Sequence, residues 1–351
     1  MTRLTGENKI IQLLKDRYQT SSPWLEKGIG DDAAVISPRN AFEHLVITTD
    51  MLLEGIDFRP EWTTPRQLGI KSLAVNLSDL AAMGVRPCFY TVSLAIPPGS
   101  SERWIREFYD GVTGLGNAHN AKLIGGDLSS SDGGIMISIT AVGESLNRKV
   151  LYRSGGRPGD TLYVTGTLGR SAAGLALLKA GYRKSRSGPR QEALSAHRTP
   201  EPRCDEGVWL AQSGLVHGMM DLSDGLSIDL PRMCAACGAG AEISREDIPC
   251  FKKAVLWNGD PEEFALHGGE DYELLFSAPK AKIKALENSY PSRFPPITRI
   301  GEMTAESGKI LLRGPGKEKR PLPQRGYDHF SGAGKESRKK RGKPFCNVSD
   351  G

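Results

Sequence analysis

Acidic residues recur at the glycine-rich turns and strand ends of this sequence. They occur in five short stretches: GIGDD (Asp31, Asp32), ITTD (Asp50), GGD (Asp127), DLSDG (Asp221, Asp224) and GGED (Glu270, Asp271). One Gly-Asp turn is commonplace, because both residues suit turns. Five such turns predict a cluster of carboxylates, because the rim of the sheet is where α/β folds bind ligands.

The segment KSLAVNLSDLAAMG adds a second signal within a predicted helix. Its leucines form an apolar stripe, while Ser72, Asn76 and Asp79 follow one another at i, i+4 and i+7 as a polar stripe. A solvated helix face is the ordinary explanation of such a stripe. Solvated faces favour Lys and Glu, however, and these short side chains are poor helix formers. We therefore interpret the stripe as buried and facing a ligand.

The chemistry of these groups is that of a site for a hard cation. Carboxylates are joined by the hydroxyls of Thr48 and Thr49, and no cluster of His or Cys accompanies them. Mg²⁺ prefers oxygen ligands and commonly bridges carboxylates to substrate phosphates, whereas zinc favours His or Cys. The close pair Cys234 and Cys237 lacks two further ligands at a zinc-like spacing, so we interpret both as small helix residues.

A nucleotide on magnesium is the natural ligand, but the usual nucleotide motifs are missing. The sequence has no G-x-x-x-x-G-K-[ST], no H-R-D or D-F-G set and no G-x-S-x-G. VTGTLGRSAAG (164–174) has the wrong glycine spacing for a dinucleotide loop, and we interpret it as tight strand-to-helix packing. Glycoside hydrolysis needs two carboxylates, fewer than are present here.

Two α/β units are predicted to position these residues. In the first, we expect helices at 7–18, 65–83 and 101–119 and strands in AAVISP, HLVITTD, CFYTVSLAIP and GIMISITAVGE. The Gly/Pro-rich segment 151–160 is the predicted boundary. The predicted domains are residues 1–150 for metal and nucleotide binding and dimerisation, 151–331 as a C-terminal α/β domain, and 332–351 as a disordered basic tail.

The second unit begins with the predicted strand TLYVTG and the helix GRSAAGLALLKAG. We expect an irregular segment at 185–203, helices near 205–213 and 224–236, and strands near 215–221, 272–277 and 298–304. Pro231 predicts a late start or a kink in the helix that contains it.

Composition narrows the class of protein. A chain of 351 residues with 38% apolar residues suits two domains with real cores. The net charge of +5 lies mostly in 335–344, so the body is nearly neutral. The N-terminus does not resemble a signal peptide, and no apolar run approaches the ~20 residues of a membrane span. Six irregularly spaced cysteines favour a reducing cytoplasm.

Read in order, the motifs resemble the thiamine-monophosphate kinase family. The resemblance covers residues 28–330 and is carried by GIGDDAAV, ITTDMLLEGIDF, KSLAVNLSDLAAMGVRP, LIGGDLS, RSGGRPGDTLYVTGTLGRSAAGL, MMDLSDGLSIDL, HGGEDYELLF and GYDHF. The family's superfamily includes aminoimidazole ribonucleotide synthetase, selenophosphate synthetase and a hydrogenase-maturation protein. The resemblance implies a two-domain ATP-binding α/β fold without a P-loop, whose N-terminal domains pair into a shared β-barrel across a homodimer.

The resemblance also implies roles for individual residues. The expected metal ligands are Asp32, Thr48, Thr49, Asp50, Asp79, Asp127, Asp221 and Asp224. The expected ATP-binding residues are Tyr109, Gly126, Asp127, Arg153 and Ser223. The expected contacts to thiamine are Asp57, Glu270 and Tyr327. The family often has His where this chain has Asp57, and the tail beyond Phe330 has no recognised counterpart.

The implied reaction is the ATP-dependent phosphorylation of thiamine monophosphate to thiamine diphosphate in the cytoplasm, assisted by several Mg²⁺ ions, with neither nucleic acid nor membrane as a partner. No general base is expected. One alternative is another ATP-dependent enzyme of the superfamily, but the first cysteine is Cys88, too late for a selenophosphate synthetase. Cys346 is not terminal, as the hydrogenase-maturation type would require. The other alternative is a protein that binds Mg·ATP without turnover.

Overall fold

The computed structural model describes residues 25–27, 31–37, 42–316 and 318–326. The predicted helix at 7–18 and the predicted basic tail lie outside these residues. Within them the chain forms two sheets with associated helices, which confirms the predicted mixed α/β fold.

The first sheet has six strands in the order β1-β2-β3-β6-β4-β5. Its strands are β1 (Leu25–Lys27), β2 (Ala34–Ile36), β3 (Leu45–Leu53), β4 (Arg86–Ile96), β5 (Lys122–Ser130) and β6 (Met136–Glu144). All neighbouring strands are antiparallel except β4 and β5, which run parallel. A parallel pair needs a crossover, which here contains the helix Glu102–Ala118.

Two helices associate with this sheet, α1 (Pro65–Ala82) and α2 (Glu102–Ala118). Both match the predicted helices closely. A capping box starts α1: the Thr64 hydroxyl accepts from the Gln67 amide at 3.2 Å, and the Gln67 side chain accepts from the Thr64 amide at 3.0 Å. The helices cross closely, because a Cβ on Gly69 would lie 2.1 Å from the carbonyl oxygen of Phe108.

The second sheet has seven strands in the order β13-β12-β9-β11-β7-β10-β8. Its strands are β7 (Thr161–Thr165), β8 (Gly218–Asp221), β9 (Gly240–Ser244), β10 (Leu274–Ala278), β11 (Ile297–Thr304), β12 (Ile310–Arg313) and β13 (Lys319–Pro321). Only β9 and β12 pair in parallel. The sequence predicted β7, β8, β10 and β11 and missed the short strands β9, β12 and β13.

Six further helices accompany the second sheet. They are α3 (Arg170–Lys179), α4 (Gly188–Arg198), α5 (Cys204–Ser213), α6 (Leu226–Cys237), α7 (Pro261–His267) and α8 (Ile283–Ser289). The prediction that residues 185–203 are irregular is wrong, because α4 occupies most of this segment. The segment is mostly polar, so the sequence did not indicate its buried positions, which include Ala193 and Leu194. Cys234 and Cys237 are free thiols on α6, and Pro231 lies inside that helix.

Helix α1 is the element that joins the two sheets. It contacts β3 and β6 of the first sheet and β8 of the second. Its Leu73 and Leu77 share one core with Met219 and Phe276 of the second sheet. Residues on opposite faces of α1 can therefore meet groups from both halves of the chain. Among the described residues, no helix combines the length and the hydropathy needed to cross a membrane.

Candidate active site

Three aspartates from distant parts of the chain meet where α1 lies between the sheets. Asp32 precedes β2, Asp79 is near the end of α1, and Asp221 ends β8. One carboxylate oxygen of each lies within 4.8 Å of the others. The predicted clustering of these three carboxylates is thus present.

The polar stripe of α1 holds this arrangement against the first sheet. Ser72 and Asn76 are buried, so the solvated-face alternative is wrong for them. The Asn76 amide nitrogen donates to the Ser72 carbonyl at 3.1 Å, and its oxygen accepts from the Asp50 amide at 3.1 Å. The Thr48 hydroxyl donates to Asp79. Asp50 and Asp79 are therefore fixed relative to each other by side chains of α1 and β3.

Another face of α1 reaches the second sheet. Ser78 is fully buried, and its hydroxyl donates to Asp221 at 2.6 Å. Beyond Asp221, the carboxylate of the buried Asp229 accepts from the amides of Asp224 and Gly225 at 3.0 Å each. Arg232 on α6 pairs with both Asp224 and Asp229. These contacts place the DLSDG turn at the edge of the acidic cluster.

Arg153 is the cation of the site. Its guanidinium pairs with Asp32 and lies 3.4 Å from Asp31, and its amide donates to Asp31 at 3.3 Å. Asp31 also pairs with Lys27 at 3.3 Å. The second carboxylate oxygen of Asp32 is buried and accepts no hydrogen bond from the residues that the structure describes. An acceptor in that condition is costly unless a cation or a donor meets it.

The pKa values of the clustered carboxyls follow from burial and mutual repulsion. Burial raises the pKa of Asp32 to about 7, against the lowering effect of Arg153 and with further raising by Asp221. Burial raises the pKa of Asp221 to about 6, although Ser78 and Arg153 oppose it. The pKa of Asp79 is well above its usual range because of burial and then Asp50. Burial also raises the pKa of Asp50.

This set of donors fits a hard divalent cation. Every ligand atom is oxygen, the repelling carboxylates need positive charge, and Asp32 offers an unused oxygen. Mg²⁺ favours such ligands, and His and Cys are absent from the group of three. Burial disfavours the ionised form of these carboxyls, and a bound cation would restore that form.

The other predicted metal and nucleotide residues are not all close to the triad. Arg153 and Ser223 lie at the site. The Thr49 hydroxyl donates to the Ile139 carbonyl at 3.0 Å. Thr49 lies on the opposite face of β3 from its neighbour Asp50, because side chains alternate along a strand. Tyr109 is on α2, and Gly126 and Asp127 are in the middle of β5. The expectation that Asp127 stands at a turn or strand end is wrong.

Strand register measures how far Asp127 lies from Asp50 within one chain. Asp50 pairs with Ile139, Ile139 with Val92, and Val92 with Gly126, the neighbour of Asp127. Three spacings of ~4.8 Å put β5 about 14 Å from β3. Asp127 therefore does not join the triad in its own chain.

The predicted substrate residues have distinct surroundings. Asp57 accepts from the Leu53 amide at 2.7 Å in the turn after β3. Glu270 has a positive φ of 64°, pairs with Lys71 at 2.6 Å, and its amide donates to the Ser223 carbonyl at 2.7 Å. Tyr327 lies outside the described residues.

Sequence reasoning missed several polar residues that support the site. Lys71, His197, Ser78 and Arg232 contact predicted site residues but were not singled out. Lys71 and Ser78 are seven positions apart, so they share a helix face. A lysine and a serine within such an apolar helix were the feature of the sequence that could have identified these two residues. His197 gave none, because it lies in the segment expected to be irregular.

Family models match both halves of the chain. The AIR synthase related protein N-terminal domain matches residues 30–145, and the C-terminal domain of the same description matches residues 157–313. Thiamine-monophosphate kinase of Escherichia coli K12 is 38% identical over 330 residues, which covers 93% of this chain and 98% of the relative. The enzyme of the same name from Bacillus subtilis is 32% identical, and the match covers 87% of this chain and 94% of that relative.

A solved structure agrees with the sequence relatives. The structure described as AaThiL complexed with AMPPCP and TMP superposes with a TM-score of 0.81 at 31% identity. The match covers 94% of this chain and 99% of that chain.

Proposed function

Because the chain belongs to the thiamine-monophosphate kinase family, within the AIR synthase related proteins, we propose that it transfers the γ-phosphoryl group of ATP to thiamine monophosphate. The products are thiamine diphosphate and ADP, in the last step of thiamine diphosphate biosynthesis. The observation that carries the proposal is the triad Asp32, Asp79 and Asp221, whose members come from three of the motifs by which the sequence resembles the family.

Magnesium ions held by these carboxylates would neutralise the repulsion between the two anionic reactants. Asp32, Asp79 and Asp221 are the central ligands, and Asp50 and Asp224 border them. Thr48 holds Asp79 in place. Thr49, on the opposite face of the first sheet, and Asp127, supplied by a second copy of the chain, complete the proposed set.

Nucleotide binding is assigned to Arg153 and Ser223, together with Tyr109, Gly126 and Asp127. The Arg153 guanidinium orients Asp32 and has further N–H groups for phosphate oxygens. A Cβ at position 126 would lie 2.0 Å from the Val92 carbonyl oxygen, so only glycine fits there. Asp57, Glu270 and Tyr327 are assigned to thiamine.

Direct in-line transfer requires no general base in this arrangement. The acceptor is a phosphate monoester whose second pKa is ~6, so it is ionised near neutral pH. The protein's contribution is then to align donor and acceptor and to stabilise the charge that moves between them. Carboxylates and Arg153 can do this without a catalytic histidine.

The edge strand β5 supports a homodimer. All nine residues of β5 are exposed, including Leu123, Ile124 and Leu128. A long apolar edge of this kind invites pairing with another chain. The open face of the same sheet exposes Met51 and Phe89. A second copy of this chain would cover both surfaces and close the two first sheets into the expected barrel. Cytoplasmic location, without membrane or nucleic acid partners, is part of the proposal.

The deciding experiment measures ADP release by the purified protein with and without thiamine monophosphate, and identifies the product by chromatography. We expect ADP and thiamine diphosphate in equal amounts, only with Mg²⁺ or Mn²⁺ present and none in EDTA. ADP release that is independent of thiamine monophosphate would favour another enzyme of the superfamily. ATP binding without ADP release would identify a nucleotide-binding protein.

A further inference from the structure

Next to the acidic triad, three side chains from separate elements form an ionic junction. Lys71 of α1 lies 2.6 Å from one carboxylate oxygen of Glu270, and His197 of α4 lies 3.0 Å from the other. Lys71 and His197 are buried, with 4% and 7% exposure. The Glu270 side chain is 27% exposed. The carboxylate is therefore held from both sides, on a side chain that is partly exposed.

The backbone that carries Glu270 is fixed in an unfavourable conformation. Glu270 and Tyr272 both have positive φ, 64° and 51°. Such residues persist only where their surroundings determine them, and they are concentrated at functional sites. Here the Tyr272 amide donates to the Leu222 carbonyl at 3.0 Å, so the segment is bound to the DLSDG turn.

Asp271, between these two residues, anchors the segment to a helix. Its carboxylate accepts from the amides of Gly169 at 2.6 Å and Ser171 at 3.2 Å, at the start of α3. Unpaired amides at a helix start favour a carboxylate. The strained segment is thus held at Asp271 while Glu270 points to the opposite side, toward α1.

The charges of the junction are well defined. Burial alone would raise the pKa of Glu270, but Lys71 and His197 outweigh it and hold that pKa at about 2. Burial and Lys71 lower the pKa of His197. Near neutral pH the junction therefore contains an ionised Glu270 and a neutral His197. Nδ1 of His197 lies 3.0 Å from the Glu270 carboxylate and 3.1 Å from the Ser171 hydroxyl, so the ring is held between the two.

The position of the junction relates it to the reaction rather than to packing alone. Burial raises the pKa of the Tyr272 hydroxyl, and the charges of Glu270, Asp50 and Asp221 raise it further. Tyr272 is therefore close to both the junction and the acidic cluster. On its other side, Lys71 and His197 border a small cleft that Phe58, Trp62, Arg59 and Arg198 also line. A carboxylate that is held in one orientation suits a positively charged ring.

We propose that Lys71 and His197 are positioning residues that hold the Glu270 carboxylate ionised and oriented for the cationic aromatic part of the acceptor. This inference rests on the proposed function, because it assigns Glu270 to thiamine. Lys71 supplies the counter-charge, and His197 fixes the second oxygen. A junction that served packing alone would have no reason to leave a quarter of the Glu270 side chain exposed.

The test measures steady-state kinetics of Lys71→Met, Lys71→Arg and His197→Gln, varying thiamine monophosphate and ATP separately. We expect Lys71→Met to raise the KM for thiamine monophosphate about tenfold or more, as befits a weakened charge-assisted contact. The KM for ATP and kcat should change less than about threefold, since transition-state interactions are kept. Lys71→Arg should recover part of the loss.

A double-mutant cycle with Glu270→Gln separates positioning from packing. If Lys71 acts through Glu270, Lys71→Met should add little to the KM defect of Glu270→Gln. Lys280→Met is the matched control, because it removes an exposed Lys–Glu pair with Glu302 that includes no residue of the junction, and it should match the wild type.

Each outcome bears on one of the two proposals. A wild-type protein that forms no thiamine diphosphate would overturn the proposed function and this role with it. An active wild type whose Lys71→Met variant changes both KM values equally, or neither, would overturn the positioning role alone. If Lys71→Met does not fold, His197→Gln provides the same test, because it leaves Lys71 in place.

Discussion

At the scale of single residues, the cost of burying negative charge indicates where the metal binds. Asp79 lies among Asp32, Asp50 and Asp221, which raise its pKa together with burial. In the absence of a cation, the fold must accept protonated carboxyls or mutual repulsion. A site with this electrostatic cost is expected where function requires it.

Asp79→Asn should separate charge from shape. The amide keeps the size of the side chain and can still bond to Thr48, so the variant should fold and be at least as stable as the wild type without metal. Turnover should fall by orders of magnitude, because metal stabilisation of several kcal/mol is lost and each ~1.4 kcal/mol is tenfold. Kinetics across a range of Mg²⁺ concentrations would measure this, and excess Mg²⁺ should recover part of the loss.

Asp110→Asn is the matched control, because Asp110 is an exposed aspartate on α2. It should retain wild-type turnover and the wild-type Mg²⁺ requirement. If Asp79→Asn behaved in the same way, the metal role of Asp79 would be wrong.

The raised pKa values also predict how the metal-free protein responds to pH. The pKa values of Asp32 and Asp271 are about 7 and that of Asp221 about 6, against 3.8 for a free aspartyl group. Between pH 4 and 7 the folded state holds protons that the unfolded state has released, so the free energy of unfolding falls as pH rises. The lowered pKa of Glu270 affects the free energy of unfolding below this pH range.

Thermal unfolding in EDTA should therefore give a higher Tm at pH 5 than at pH 7.5. Saturating Mg²⁺ should shrink the difference, because a bound cation favours the ionised carboxyls at the higher pH. A metal-free Tm that rises between pH 5 and 7.5 would show that these carboxyls do not dominate the pH dependence.

At the scale of secondary structure elements, the site depends on the close crossing of α1 and α2. A Cβ on Gly111 would lie 2.0 Å from the Arg66 carbonyl oxygen, just as one on Gly69 would lie 2.1 Å from that of Phe108. Each helix thus presents a glycine to the backbone of the other. This contact sets the position of α1, and with it the positions of Asn76 and Asp79.

Gly69→Ala should destabilise the protein by about 1–3 kcal/mol, because the added methyl group forces the helices apart. The gain of ~1 kcal/mol in helix propensity does not compensate. Gly114→Ala in α2 is the matched control: Gly114 is exposed, no atom lies within 4 Å of its added Cβ, and a gain of about 0.5–1 kcal/mol is expected. Urea unfolding measures both, and stabilisation by Gly69→Ala would contradict the close crossing.

At the scale of the whole molecule, the distance between Asp127 and Asp50 decides what a dimer would do. If Asp127 binds the same group of metals, a second copy must supply it, since about 14 Å separates β5 from β3 in one chain. Each site of the proposed homodimer would then contain residues of both subunits.

Complementation between two inactive variants tests this arrangement. Co-expressed Asp79→Asn and Asp127→Asn chains should form hybrid dimers in which one site carries both substitutions and the other neither. Random pairing then restores about a quarter of wild-type turnover. Each variant expressed alone is the control and should remain inactive. No recovery in isolated hybrid dimers would place both residues in the site of one chain.

The sequence alone determined the chemical character of the site, because that character resides in residue types and local periodicity. The turns with paired Gly and Asp, and the stripe of Ser72, Asn76 and Asp79, identified carboxylates on buried elements before any coordinates were known. Both principal helices of the first half were also predictable, since capping and periodicity are local properties.

Only the tertiary structure decided which of these residues meet. Asp32, Asp79 and Asp221 converge because α1 packs between two sheets, and no local pattern records that packing. The junction of Lys71, His197 and Glu270 joins three segments that are distant in the sequence. Likewise, the exposure of β5 depends on its place at the edge of a sheet. Contacts between distant segments arise from the summed packing of whole elements, so they cannot be read from any one segment.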